Sequence, residues 1–135
     1  NDKLDALLRF TYKWKRERSA EGIYLMTELK AIENTLAMWD ILPCEGIIIC
    51  LHDKIAAYSI FSPQTPDMAD EHFEKFDPDK KGSAQIVNWE TARHLQNRYK
   101  YLNREQDLGM EGLRQAKLSY QPAFLVKFLS TKLKA

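Results

Sequence analysis

The chain has 135 residues, 44% of them hydrophobic, and a formal net charge of +1. This length suits one domain with a sizeable core, and the hydrophobic content excludes a disordered chain. Because 20 Lys and Arg nearly balance 19 Asp and Glu, the overall charge argues against a strongly electrostatic nucleic-acid binder, while a local basic patch remains compatible with it. No apolar run approaches the ~20 residues of a membrane span, and the N-terminus shows no signal-peptide pattern. A cytoplasmic protein is predicted.

The first forty residues show helical periodicity. Residues 2–18 are predicted to form a helix with the apolar positions Leu4, Leu7, Leu8 and Tyr12. A second helix is predicted from an N-cap at Ser19 to about residue 40. Its apolar stripe comprises Ile23, Met26, Leu29, Ile32, Leu36 and Trp39.

The periodicity then changes to that of strands. Residues 46–51 are a near-continuous apolar run, which predicts a strand covered on both faces. A tight polar link separates this run from a second strand at residues 55–61, so an antiparallel hairpin is expected. Residues 62–67 are predicted to be a loop because they contain Pro63 and Pro66.

A third strand is predicted at residues 70–77, although it is rich in charge. Such a strand either lies at a solvated edge or lies centrally with its charges paired or lining a pocket. A turn and a helix at residues 85–96 follow, with Ser83 as the expected N-cap. The inner side of this helix is predicted to carry Ile86, Trp89, Ala92, Arg93 and Leu95.

The stretch 99–122 is predicted to run from a strand through a polar corner at residues 103–107 into a helix that Pro122 ends. Strand ends that feed a helix N-terminus often bind ligands in α/β proteins, while an ordinary connection is the alternative. A closing strand follows at residues 123–129. The element order ααβββαβαβ predicts an α/β (α+β) mixed sheet with helices on both faces, in which strands 70–77 and 99–103 are parallel neighbours.

Three segments have a recognisable pattern: HFEKFD at residues 72–77, YLNREQDLG at 101–109 and EGLRQAKLSYQP at 111–122. Over roughly residues 20–132 the chain resembles the family named after the C-terminal domain of phosphatidylglycerol lysyltransferase. Its element order looks like the GNAT acyltransferase architecture without the first strand. The family's members include cytosolic domains of lysyltransferases, which use aminoacyl-tRNA, and soluble bacterial proteins of unassigned function.

The resemblance implies a single GNAT-like domain over residues 1–135, which is the C-terminal half of a two-domain protein. Its expected partners are an N-terminal GNAT-like domain or a second copy of the chain, with tRNA as a further candidate. The leading function is acyl or aminoacyl transfer to an amine or hydroxyl. The alternative is a non-catalytic module that binds a partner domain, tRNA or a phosphorylated ligand.

Most of the candidate substrate-binding residues have basic side chains. Arg114 is the arginine of the family's glycine–leucine–arginine pattern, and Lys117 matches the lysine downstream of it. Lys127 lies where the family tends to place a basic residue. Arg114 and Lys117 share a helix face and are suited to hold a phosphate. Alternatively, Arg114 forms a surface ion pair with Glu111. Glu74 and Lys75 of the third strand complete the predicted set.

Catalytic candidates lie in the polar corner. Asn103 and Glu105 alternate onto one strand face, and Asp107 follows them. An amide or carboxylate there is suited to orient an amine or take its proton. The alternative is a polar corner in which Asp107 is the N-cap of the next helix.

The donor stays open between aminoacyl-tRNA and acyl-CoA, because residues 80–84 contain one glycine where coenzyme A-dependent GNATs have a glycine-rich loop. No metal is expected, since Cys44 and Cys50 lack a metal-ligand pattern and the three histidines are scattered. Both cysteines are predicted to be buried free thiols. The sequence shows no Ser–His–Asp spacing and no nucleophilic cysteine signature.

Overall fold

The computed structural model describes residues 2–17 and 23–105. The elements in chain order are α1 (Asp2–Glu17), α2 (Ile23–Ala37), β1 (Glu45–Leu51), β2 (Lys54–Thr65), β3 (Met68–Phe76), α3 (Ser83–Leu95) and β4 (Tyr101–Asn103). All of them belong to one compact unit, and a second unit begins at Arg104. The described order ααβββαβ follows the prediction. The predicted last helix and strand lie outside the described residues.

The four described strands form one mixed sheet in the order β1-β2-β3-β4. The first two pairs are antiparallel, and β3 and β4 are parallel neighbours joined through α3. In the β1–β2 hairpin, His52 and Asp53 both have positive φ, 51° and 64°, between the paired residues Leu51 and Lys54. Two central residues with positive φ are the geometry that matches the twist of paired strands. The predicted hairpin and parallel pair are confirmed.

Helices cover both faces of the sheet, as predicted. On one face, a buried cluster joins α1 and α2 to β2 through Leu7, Ile32, Leu36, Tyr58 and Ile60. On the other face, Phe61 and Ala69 of the sheet meet Leu95 of α3. Apolar burial contributes roughly 25 cal/mol per Å² removed from water, so these two clusters hold the layers together.

Two buried hydroxyl pairs link the helices to β2. The hydroxyls of Thr11 and Tyr58 lie 2.7 Å apart, and Thr11 also donates to the carbonyl of Leu7. On the opposite face, Ser59 meets Thr91 at 2.6 Å, while Thr91 donates to a carbonyl one turn earlier in α3. Each buried polar group therefore has a hydrogen-bond partner, which removes the penalty of burying it unsatisfied.

The strand boundaries differ from the prediction at the second hairpin. Residues 62–65 continue β2 instead of forming a loop, and Pro63 pairs with Ala69. The proline is tolerated because the register shifts immediately after it, and a proline is compatible with a strand at such an irregularity. Only Pro66 and Asp67 form the turn to β3.

Strand β1 is an edge of the described sheet, and as expected it packs on both faces: Ile48 contacts the α1–α2 cluster and Ile47 contacts the α3 cluster. Its central isoleucines are half-buried, and Cys50 is exposed. Both cysteines are free, but the prediction that both are buried is wrong. Burial raises the pKa of the half-buried Cys44 thiol. In β3, by contrast, the charged residues Glu71 and Lys75 are buried, so β3 is not a solvated edge.

The helix faces are rotated relative to the predicted stripes. Six residues assigned to inner faces are exposed: Tyr12, Met26, Ile86, Trp89, Ala92 and Arg93. The buried positions include Thr11 and Trp14 of α1 and Val87 and Thr91 of α3. Short polar threonines pack inside because neighbouring hydrogen bonds satisfy them. None of the described helices is both long and apolar enough to cross a membrane.

The N-terminus of α3 is also corrected. Gly82 is its N-cap, with φ 83°, and no side chain caps the helix. Glycine suits this left-handed conformation because it has no Cβ. Ser83 is already helical, and its Oγ donates to the carbonyl of Asp77 at 3.0 Å. The predicted N-cap Ser19 lies outside the described residues.

Candidate functional site

Strands β3 and β4 pair only at their beginnings. The parallel ladder joins Met68 to Tyr101, Ala69 to Leu102 and Asp70 to Asn103. Strand β4 ends there, whereas β3 continues from Glu71 to Phe76. From Glu71 onward, β3 therefore has no partner from β4 among the described residues. In open α/β sheets, ligands often bind at the carboxyl ends of strands.

A β-bulge in β3 follows the last pair. Phe73 pairs with Ile60 and Glu71 with the next residue of β2, so His72 is the additional residue. The bulge reverses the faces of the strand: Phe73 packs on the α1–α2 cluster, whereas Ala69 packs on the α3 cluster. Bulges re-aim side chains and are common next to active sites.

Three polar side chains converge beside this bulge. Nε2 of His72 lies 2.6 Å from Oγ of Ser62, and its Nδ1 lies 3.8 Å from Oδ2 of Asp70. The first distance is a short hydrogen bond, while the second is too long for one and is an ion-pair distance when the imidazole is protonated. Ser62 and Asp70 are cross-strand partners in the β2–β3 ladder. The hairpin register and the bulge together create this group, which the sequence prediction missed.

Asn103, a predicted catalytic residue, lies at the end of β4 opposite Asp70. Its Nδ2 donates to Oε1 of Gln64 at 3.1 Å. Gln64 is the residue at which β2 shifts register. The structure thus places one predicted site residue in the last pair between β3 and β4, and its catalytic role stays a prediction.

The two site residues predicted on β3 differ in their surroundings. Lys75 is buried, forms an ion pair with Glu28 of α2, and lies with Nζ 4.5 Å from the ring centroid of Trp14. These contacts hold the ammonium group on the helix-covered face and account for its burial. Glu74 is half-buried and pairs in the ladder with Ser59.

The remaining predicted residues are placed as follows. Glu105 is exposed, with a left-handed φ of 59°, and belongs to the second unit. Asp107, Arg114, Lys117 and Lys127 lie outside the described residues. Their roles stay predictions.

Comparison with known families identifies the chain. The family model described as phosphatidylglycerol lysyltransferase, C-terminal, matches residues 1–130. The chain belongs to this family. The predicted family resemblance is therefore confirmed. A search of curated proteins finds no match.

One solved structure is similar to most of this chain. A conserved protein of unknown function from Bacteroides thetaiotaomicron VPI-5482 is 33% identical, with a TM-score of 0.84. The match covers 92% of this chain and 42% of that chain. The present chain thus spans less than half the length of this relative.

More distant structures establish the fold. A probable acetyltransferase matches with a TM-score of 0.66 and 11% identity, over 99% of this chain and 93% of its own. A possible acetyltransferase from Clostridium difficile 630 matches with a TM-score of 0.60 and 12% identity, over the same shares. This family member has the GNAT acyltransferase fold, as predicted.

Proposed function

We propose that this chain is an acyl-transfer domain, which moves an acyl or aminoacyl group from an activated donor to an amine or hydroxyl acceptor. The observation that carries the proposal is that β3 continues past Asp70 without a partner from β4 among the described residues, in a chain with the GNAT fold. An extended donor can lie along the edge of a strand and use its backbone groups. The adjacent bulge supplies the local irregularity typical of such sites.

The acceptor side of the proposal uses the polar corner that follows β4. Asn103 is the last residue of β4 that pairs with β3, and its side chain donates a hydrogen bond to Gln64. An amide held in this way is suited to orient an incoming amine. Glu105 and Asp107 are proposed to take the proton that the amine loses on attack.

On the donor side, basic side chains are proposed to bind the phosphate groups of the acyl carrier. Arg114 is proposed to bind a phosphate with two parallel hydrogen bonds, with Lys117 and Lys127 neutralising further charge. Glu74 is the proposed contribution of β3, whereas the ammonium group of Lys75, also predicted for the site, is held by Glu28 and Trp14. Aminoacyl-tRNA is the proposed donor because the family includes aminoacyl-tRNA-dependent lysyltransferases, and acyl-CoA is the competing donor.

Calorimetric titration tests the proposal directly. An aminoacyl-tRNA mimic and acetyl-CoA are each titrated into the wild-type chain, Arg114→Ala and Lys117→Ala. Loss of a charged hydrogen bond is expected to weaken donor binding by about 1.5–3 kcal/mol in each variant. Affinity should also fall as salt is raised, because the contact is ionic. The stronger ligand identifies the donor.

Arg93→Ala is the matched control. This arginine lies on α3 with its guanidinium 5.2 Å from the ring centroid of Trp89, and it is exposed. Its removal changes the net charge equally without touching the proposed site. Equal affinities in all four proteins would remove Arg114 and Lys117 from the site. Tight binding without transfer to any amine would favour the non-catalytic module.

The partner is part of the same proposal. The Bacteroides relative extends well beyond the region matched by this chain, which supports an N-terminal GNAT-like domain or a second copy of the chain as partner. Sedimentation of the chain alone distinguishes the two. A dimer supports self-association, whereas a monomer that binds a separately produced N-terminal domain supports the two-domain arrangement. A monomer that binds neither contradicts both.

A further inference from the structure

The exposed side of α1 carries three basic side chains that the proposed function does not use. Arg9, Lys13 and Arg16 follow one another at spacings of four and three residues, and all three are exposed. We propose that this row, the α1 stripe, binds the phosphate backbone of a nucleic acid. Only the link to acyl transfer rests on the proposed function, because there the ligand is the body of the RNA that carries the acyl group.

The helical spacing places the three cations of the α1 stripe in one row. Residues three and four apart share a face of a helix, and seven residues extend over about 10 Å of the helix axis. Stacked nucleotides of one strand advance by about 3.4 Å each, so the row matches about three consecutive phosphates. An arginine binds a phosphate with two parallel hydrogen bonds, and a lysine adds a compact point charge.

The charge of the α1 stripe is a local excess. Residues 9–16 contain four basic residues and no acidic one, whereas the acids Asp2 and Asp5 lie in the first turn of α1. Among the residues that the structure describes, no carboxylate forms an ion pair with the three cations of the stripe. By contrast, Arg98 and Lys75 each have a carboxylate partner. Because the stripe is not neutralised within this part of the chain, its charge is available to a ligand.

The α1 stripe reaches the end of β3 that the proposed site uses. Lys13, Phe10 and Trp14 line one side of a shallow cleft, and Asp77 and Pro78 line the other. These last two residues follow β3 directly. The half of β3 that has no described partner from β4 therefore ends at this cleft. A carrier whose acyl end lies along β3 can continue from there onto α1.

The composition of this face favours a nucleic acid over a protein or a membrane. Protein interfaces are centred on apolar and aromatic residues, and amphipathic helices bind membranes through an exposed apolar face. On the described part of α1, Tyr12 is the one large apolar side chain that is exposed, and its hydroxyl donates to Glu33. Interfaces with nucleic acids are polar and positively charged, as the α1 stripe is.

Fluorescence anisotropy of a labelled, unacylated tRNA transcript tests the inference without acyl transfer. The wild-type chain should bind with an affinity that falls steeply as salt is raised, because bound phosphates release their counterions. Lys13→Gln/Arg16→Gln should weaken binding at low salt by about 10-fold or more. The slope of log K against log salt should become shallower by about 1 for each lost contact. Glutamine is used because it is a good helix former.

Lys54→Gln/Arg93→Gln is the matched control. It removes one lysine and one arginine that are exposed on β2 and α3, so the net charge falls by the same amount. Its affinity and its salt slope should stay close to those of the wild type. A loss as large as that in Lys13→Gln/Arg16→Gln would show that net charge alone governs binding, which overturns the inference. Circular dichroism checks the fold of each variant.

The inference is also overturned if the wild-type chain does not bind the tRNA, or if Lys13→Gln/Arg16→Gln binds it as tightly as wild type. Cosedimentation with phosphatidylglycerol vesicles is the parallel measurement, and vesicle binding without tRNA binding would assign the stripe to a membrane surface instead. The proposed function fails separately. Transfer from acetyl-CoA without tRNA binding removes the inference and keeps acyl transfer. Stripe-dependent tRNA binding without transfer to any amine keeps the inference and favours the non-catalytic module.

Discussion

Two serines of β2 make equally short hydrogen bonds in different surroundings. In the middle of the strand, Ser59 meets the hydroxyl of Thr91 at 2.6 Å and is 1% exposed. Towards its end, Ser62 meets the imidazole of His72 at 2.6 Å beside a carboxylate. The two hydroxyls of Ser59 and Thr91 form a hydrogen bond, but neither group takes up a proton near neutral pH. An imidazole does accept one. The comparison shows that the partner group and its position, and not the hydrogen-bond length, distinguish the surroundings of the two serines.

The largest expected effect concerns the buried apolar residues in the middle of β2. Ile60→Ala removes a side chain that is 1% exposed and leaves a cavity among α1, α2 and the sheet. The free energy of unfolding should fall by about 2–5 kcal/mol. Urea denaturation followed by circular dichroism measures it. Ile41→Ala is the control, because Ile41 is 76% exposed and should change stability by less than about 0.5 kcal/mol. Equal losses would show that the middle of β2 is not the core.

The second prediction compares the two serine pairs themselves. Thr91→Val leaves the hydroxyl of Ser59 buried without its partner and should cost about 1–3 kcal/mol of stability. Ser62→Ala should cost only about 0.5–1.5 kcal/mol, because the half-exposed His72 remains accessible to water. Urea denaturation of both variants gives the two values. A larger loss in Ser62→Ala would make the end of β2 a structural region like its middle.

The third prediction concerns the phenol of Tyr58, which is fully buried against Thr11. Burial raises its pKa above the ordinary value of 10.0. Above that pH the unfolded phenol ionises while the folded one keeps its proton, so wild-type stability should fall as pH rises past about 10. Tyr58→Phe should lower the free energy of unfolding by about 0.5–1.5 kcal/mol at neutral pH. Its stability should also fall less steeply than that of the wild type above about pH 10. Denaturation on both sides of pH 10 measures this. Parallel curves would show that Tyr58 does not contribute.

The smallest expected effect lies at the surface. Arg98 holds Glu45 with two hydrogen bonds of 3.1 and 2.7 Å, and these lower the pKa of the Glu45 carboxyl. The stability that this ion pair contributes is therefore present above the ordinary pKa of glutamate. It is lost as pH falls through the lowered pKa of Glu45. Because both side chains are substantially exposed, Glu45→Gln should lower the melting temperature only slightly at neutral pH and not at all in acid. A difference that persists in acid would contradict an ionic contribution.

The identity of most elements was predictable from local patterns. The short apolar runs predict β1 and most of β2, and the tight polar link predicts their hairpin, because the cover of a strand and turn geometry depend on neighbouring residues. The extension of β2 through Pro63 was not predictable. It depends on a register shift opposite Ala69, which is a property of two strands together.

The buried faces of the helices were less predictable. Trp89 is 60% exposed, while Thr91 on the same helix is fully buried. Hydrophobicity alone ranks these residues in the opposite order. The threonine is inside because Ser59 and the carbonyl of Val87 satisfy its hydroxyl, and such partners are visible only after the helix is packed on the sheet.

The sequence by itself determined the family, the order of the described elements and the parallel pairing of β3 with β4, because motifs, periodicity and crossover helices are local in the chain. It also predicted a site role for Asn103, which stays a prediction. Only the tertiary structure decided that Ser62 lies against His72 and Asp70. No spacing rule reports that contact, because it depends on the pairing of two strands and on one additional residue in β3. A shift of one residue in a strand register turns every side chain to the opposite face.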